Sequence, residues 1–158
     1  MDSKTIIAFG ALILISGLLL RYRQQLLRPT GLAFFMALAW TTYYRYEYVG
    51  SNIFLFDRIN VYPLILWTTG PLLLAWGSLW LPRRWCFMVL LLLYYFFLAG
   101  IEVVGYYIFD IHLNSNYTSL LGLGVIHAPF IMKLFYVAAG PLYLYGLSLM
   151  EKVPTPSR

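Results

Sequence analysis

Apolar residues fill five long blocks of this chain, at about 5–20, 31–48, 61–81, 85–109 and within 119–150. Polar and charged residues collect between the blocks instead of recurring inside them. A bilayer core is crossed by about 20 apolar residues of helix. Each block therefore reads as a span, and the chain as an all-α polytopic membrane protein with about five transmembrane helices. A single transmembrane domain covers 1–152, and 153–158 reads as a disordered tail. The first block is slightly short and follows Lys4, which makes a cleaved signal peptide the rival reading. Such a peptide ends in a small-residue cleavage site, whereas Arg21-Tyr22-Arg23-Gln24-Gln25 follows here. A retained helix is the better reading. The fifth block is too long for a simple span. Pro129 lies within it, and Gly122 and Gly124 loosen its start. Proline removes a donor and disfavours helix at the residue before it. The span is expected to begin near Pro129, with 119–128 as an interfacial or re-entrant piece, which protein or water must cover.

Composition strengthens the membrane reading. Of 158 residues, 61% are hydrophobic and 11% charged, against about 25% charged in a soluble domain. Too few polar side chains exist to cover a globule in water. The net charge of +5 forms no basic patch, so no nucleic-acid partner is expected. Arg21, Arg23 and Arg28 follow the first block, Arg83 and Arg84 join the third and fourth, and Lys152 and Arg158 follow the fifth. The other two connections are neutral or acidic, with Arg45, Glu47, Asp57 and Arg58 in one and Asp110 and His112 in the other. Positive-rich loops stay inside, which places the N-terminus outside and the C-terminus inside. The lone Cys86 excludes an internal disulfide framework and a cysteine metal cage. Asn116-Tyr117-Thr118 fits a glycosylation sequon on an outer loop.

Two stretches run in parallel. Glu47-Tyr48-Val49-Gly50 precedes Ile53-Phe54, Val61-Tyr62-Pro63 and Gly70-Pro71-Leu72; Glu102-Val103-Val104-Gly105 precedes Ile108-Phe109, Ile126-His127-Ala128-Pro129 and Gly140-Pro141-Leu142. The match suggests a duplicated two-helix repeat, with repeat A at about 31–81 and repeat B at about 85–150. The mid-span Gly-Pro pairs should kink both helices and open space beside them.

Ionisable residues inside a membrane are costly and mark function. Glu102 lies in the outer third of the fourth block, where a lone carboxylate must be paired or protonated. Lys133, at matching depth if the fifth span starts at Pro129, is its expected charge partner, with His127 as a nearby proton-handling group. Glu47 is the second candidate carboxylate, although Arg45 and Arg58 stand close to it in sequence. Aromatic residues make up 19% of the chain. Interfacial belts account for many, but Tyr94 and Tyr95 lie deeper. With Trp67, Tyr107 and Phe135 they are candidates to line a slot for a flat, extended apolar ligand. Two histidines and widely spaced carboxylates make no metal site, and di-iron membrane chemistry needs many more histidines. No Ser/His/Asp set and no phosphate-binding glycine loop occurs, so neither metal nor cofactor is expected.

The second repeat shows Gly105-Tyr106-Tyr107-Ile108-Phe109, then Leu120-Leu121-Gly122-Leu123-Gly124, then Pro129-Phe130-Ile131-Met132-Lys133-Leu134-Phe135-Tyr136. Over about 45 residues this resembles the lycopene-cyclase domain of bacterial and fungal carotenoid cyclases. That family's hairpin carries Gly-x-Trp-x-Phe and, after a Leu/Gly-rich stretch, Pro-Leu-Glu-Glu-x-x-Phe-Phe. The Glu-x-x-Gly element is also similar to the related membrane carotenoid hydratases. The resemblance implies a carotenoid or other isoprenoid ligand, membrane lipid surroundings and the bacterial inner (plasma) membrane. If catalytic, the activity would be cofactor-independent, acid-catalysed cyclisation or hydration, with Glu102 as proton donor and Glu47 as a second carboxylate. The family's glutamate pair is replaced by Ile131 and Met132, and Pro63-Leu64-Ile65-Leu66 lacks it too. Cyclase activity therefore does not carry over, and binding fits better than catalysis. The alternative is a non-catalytic accessory or assembly subunit of a larger membrane complex, or a homo-oligomer. The small size, minimal loops and aromatic surface suit it. A transporter or channel fits poorly, because few polar residues lie at mid-span.

Overall fold

The computed structural model describes residues 2–114, 117 and 127–152, with backbone only at 83, 84, 151 and 152. The sequon at 116–118, the re-entrant stretch up to residue 126 and the tail at 153–158 lie outside or only partly within the described residues. The protein is mostly helical. Helix α1 spans Ser3–Tyr43, α2 Val61–Ser78, α3 Arg83–Val103 with a π-turn at Val104–Ile108, and α4 Phe130–Lys152. A hairpin of β1 (Phe54–Leu55) and β2 (Ile59–Asn60) precedes α2. Three helices, Ser3–Tyr43, Trp85–Ile108 and Phe130–Met150, are long and apolar enough to cross a membrane.

The first two apolar blocks form two helical arms joined across a kink at Tyr22. The expected loop at 21–30 is absent, because Arg, Gln and Leu favour helix and only Tyr22 leaves helical geometry, at φ −124° and ψ 33°. Pro29 is accommodated, and the Thr30 hydroxyl donates to the Leu26 carbonyl at 2.7 Å. A straight helix of this length would measure about 60 Å. Yet Lys4 Nζ donates to the Val49 carbonyl at 2.7 Å, and the Ser51 hydroxyl bonds the Asp2 carboxylate. The chain therefore doubles back at Tyr22 and brings the start of α1 beside the residues that follow its end. We refer to these as the Lys4 end and the Tyr22 end.

The second block ends earlier than expected. Helix α1 stops at Tyr43, Tyr44 is extended, and Arg58 Nε caps the Thr42 carbonyl at 2.8 Å. Residues 44–50 cross the Lys4 end as irregular chain. They pair with the chain after α3 through Val49 N–His112 O at 3.0 Å and Asn114 N–Glu47 O at 2.9 Å. Asn60, 1% exposed, caps α2 by accepting from Tyr62 N–H at 3.1 Å and donates to the Tyr46 carbonyl at 3.0 Å. The last helix starts immediately after Pro129, as its sequence implies.

Two cores result. One gathers Leu26, Ala33, Leu72, Leu90, Tyr94 and Tyr143 along the bundle; the other gathers Trp40, Tyr46, Ala128, Met132 and Tyr136 at the Lys4 end. Most other large apolar residues face outward, among them Leu20, Leu92, Phe96 and Phe130, the distribution expected of helices solvated by lipid instead of water.

Candidate functional site

Helices α2 and α3 lie apart along part of their length and enclose a cavity of about 370 Å³. Its walls are apolar: Leu66, Leu73 and Leu74 from α2, and Leu90, Leu93 and Phe97 from α3. Gly70 lies on its surface, and a Cβ there would meet nothing within 4 Å. The Gly70–Pro71 pair does open space, although α2 continues as helix through it. Gly140 behaves differently. A Cβ there would fall 2.5 Å from the Tyr94 ring, so the space beside the second Gly-Pro pair is filled by that ring.

Glu102 lines the Lys4 end of this cavity, near Tyr48, Tyr62 and Tyr106. Its Oε1 accepts the backbone N–H of His127 at 2.9 Å. A main-chain amide delivered by the turn before Pro129 thus meets the carboxylate. Lys133 sits half-buried in the first turn of α4. The His127 ring stacks on Tyr106 with centroids 4.0 Å apart and planes at 17°, and its buried Nδ1 has no hydrogen-bond partner among the described residues. The π-turn follows Glu102 directly. It adds a residue to one turn, as π-bulges do near functional sites, and Tyr106 within it meets His127.

Glu47 does not join Glu102. It lies beyond the end of α1, half-exposed, with its Oε1 3.1 Å from Arg45 Nε. The glycines of the two Glu-x-x-Gly motifs also serve different ends. Gly50 holds a positive φ of 81°, which favours glycine, and lies beside Lys4 Nζ. Gly105 sits within the π-turn. The outline of the repeat is shared, but the local structure of its motif is not.

Of the aromatic candidates, Trp67 and Tyr94 line the cavity, while Tyr95, Tyr107 and Phe135 do not. Phe135 stacks on Trp40 at 3.9 Å and 6°, and Tyr107 is exposed. Tyr95 has another task. Pro141 cannot donate to the carbonyl four residues earlier, which is that of Val137, and the Tyr95 hydroxyl donates to this carbonyl at 2.8 Å. Tyr94 donates to the neighbouring Tyr136 carbonyl at 2.6 Å.

Sequence reasoning missed two residues. Tyr46 is fully buried; its hydroxyl accepts from Trp67 Nε1 at 3.1 Å and from Trp40 Nε1. It joins the loop to α1 and α2, whereas its place in a tyrosine-rich run suggested only an interfacial belt. Lys4, treated as a flanking charge, is 7% exposed and ties both ends of α1 together. Asp2, two residues before it, is its only sequence signal. Trp76 Nε1 is buried without an acceptor. Among the described residues no group of three or more His, Cys, Asp or Glu side chains could hold a metal ion.

No protein-family model, no curated protein and no solved structure matches this chain.

Proposed function

We propose that this is a five-span integral membrane protein that holds an isoprenoid or carotenoid-type chain in the slot between α2 and α3. In this reading the two arms of α1, α2, α3 and α4 each cross the bilayer. The N-terminus lies outside, the C-terminus inside, and 31–81 and 85–150 are hairpins duplicated in outline. The resemblance to lycopene-cyclase domains points to a bacterial inner membrane. The observation that carries the reading is the apolar cavity between α2 and α3 with the carboxylate of Glu102 on its wall. Lipid-phase ligands are held by such predominantly apolar pockets with few polar groups. Binding is favoured over catalysis. Protonating an alkene requires a strong acid in a dry pocket, but Glu102 accepts an amide N–H and Glu47 faces Arg45 instead of the cavity.

Expression in a lycopene-producing host tests this directly. A polyene should co-purify with the protein while the pigment profile of the membranes stays unchanged. A cyclised or hydrated pigment would replace binding with catalysis, and no bound chain with no new pigment would sink both.

The outward face of α3, with Leu92 and Phe96 strongly exposed, favours one further reading, an assembly subunit of a larger membrane complex. Native gels in mild detergent distinguish it: migration as a lone small protein, where other complexes survive, counts against it.

A further inference from the structure

We propose that the chain held in the slot ends in a hydroxyl, seated against Glu102 at the Lys4 end. This rests on the binding reading above and concerns which isoprenoids the slot accepts. Among the described residues Glu102 is the only acidic side chain on the cavity wall. A carboxylate offers about four acceptor positions, and the His127 amide occupies one. A carboxylate lined by hydrocarbon is costly unless donors meet it. Tyr48 and Tyr62 border the same end, their rings 5.3 Å apart at 86°. This end therefore offers an acceptor with tyrosine side chains on the same wall. The rest of the slot, from Leu66 down to Gly77 and Leu90, presents hydrocarbon. From Tyr62 to Gly77, α2 advances about 22 Å, at about 1.5 Å per residue, so the slot suits a long chain entering head-up.

The chemistry selects among head groups. A pure hydrocarbon gives Glu102 nothing. A carboxylate or phosphate head would be repelled by it. An ammonium would need a desolvated ion pair, at a cost its attraction only partly repays. A hydroxyl donates its O–H to the carboxylate and accepts from a tyrosine O–H, and it enters the apolar slot uncharged.

The test uses the full chain in detergent, titrated with geranylgeraniol and with geranylgeranyl methyl ether, which has the same chain but no donor. Fluorescence of Trp67 and Trp76, both on the slot wall, reports binding. The alcohol should bind about tenfold tighter than the ether, as one hydrogen bond to a charged group allows. Glu102→Leu should lower the alcohol to the level of the ether, and the melting curve of the variant in detergent shows that it is folded. Equal affinity of the wild-type protein for both probes overturns the head-group assignment and leaves the slot reading intact. Saturable binding of neither overturns both.

Discussion

Tyr95 and Pro141 form a pair that the sequence separates by 46 positions and the fold brings into one hydrogen-bonding unit. The proline leaves the Val137 carbonyl without its helical donor, and the Tyr95 hydroxyl supplies one. In lipid such a carbonyl has no water to turn to. Tyr95→Phe should therefore cost about 1 kcal/mol of stability. Paired with Pro141→Ala, which restores the N–H, it should cost close to nothing; thermal melts of the four proteins in a double-mutant cycle measure this coupling. Equal losses in both backgrounds would show that the hydroxyl does not serve that carbonyl. The slot tryptophans make an opposite pair. Trp67 Nε1 donates to Tyr46, while Trp76 Nε1 is buried without an acceptor. Trp67→Phe should destabilise by about 1 kcal/mol, whereas Trp76→Phe should be neutral or stabilising, because it removes an unmet donor. Melting temperatures of the two variants decide it.

At the scale of elements, the apolar blocks located the helices because lipid-facing and core-facing residues are alike apolar and their runs are long. Three features were not legible. The turn at Tyr22 is a single non-helical residue inside good helix formers, so nothing in the pattern marks a reversal there. The partner of Glu102 is a backbone amide, which carries no residue-type signal, so the charged Lys133 drew attention instead. Adjacent residues such as Tyr94 and Tyr95 point about 100° apart on a helix, and of these two only Tyr94 lines the slot. Two predictions belong here. Gly140→Ala should destabilise the α3–α4 contact by about 1–3 kcal/mol, since its methyl would collide with the Tyr94 ring. Gly70→Ala, where the added Cβ meets open space, should preserve the fold; comparative unfolding curves test the contrast. The α1 reversal also has an acid-sensitive tie. The Ser51 hydroxyl bond and nearby Lys4 lower the Asp2 carboxyl pKa. A lowered pKa contributes stability that is present above the ordinary carboxylate range and is lost as pH falls through the folded value. Asp2→Asn should remove that share of acid sensitivity, seen as a flatter dependence of melting temperature on pH below about 4.

For the whole molecule, the architecture is a bundle whose outer faces suit lipid and whose α2–α3 seam is left unfilled. The groove between α2 and α3 is apolar, and an acidic side chain at one end gives a bound chain a direction. The most direct measurement is photolabelling in membranes with a prenyl alcohol that carries a diazirine at its tail, followed by peptide mapping. The account predicts labels on slot residues such as Leu73, Leu93 and Phe97, abolished by excess geranylgeranyl methyl ether. Labels scattered over outward residues such as Leu20, Leu92 and Phe96, unaffected by the competitor, would contradict it.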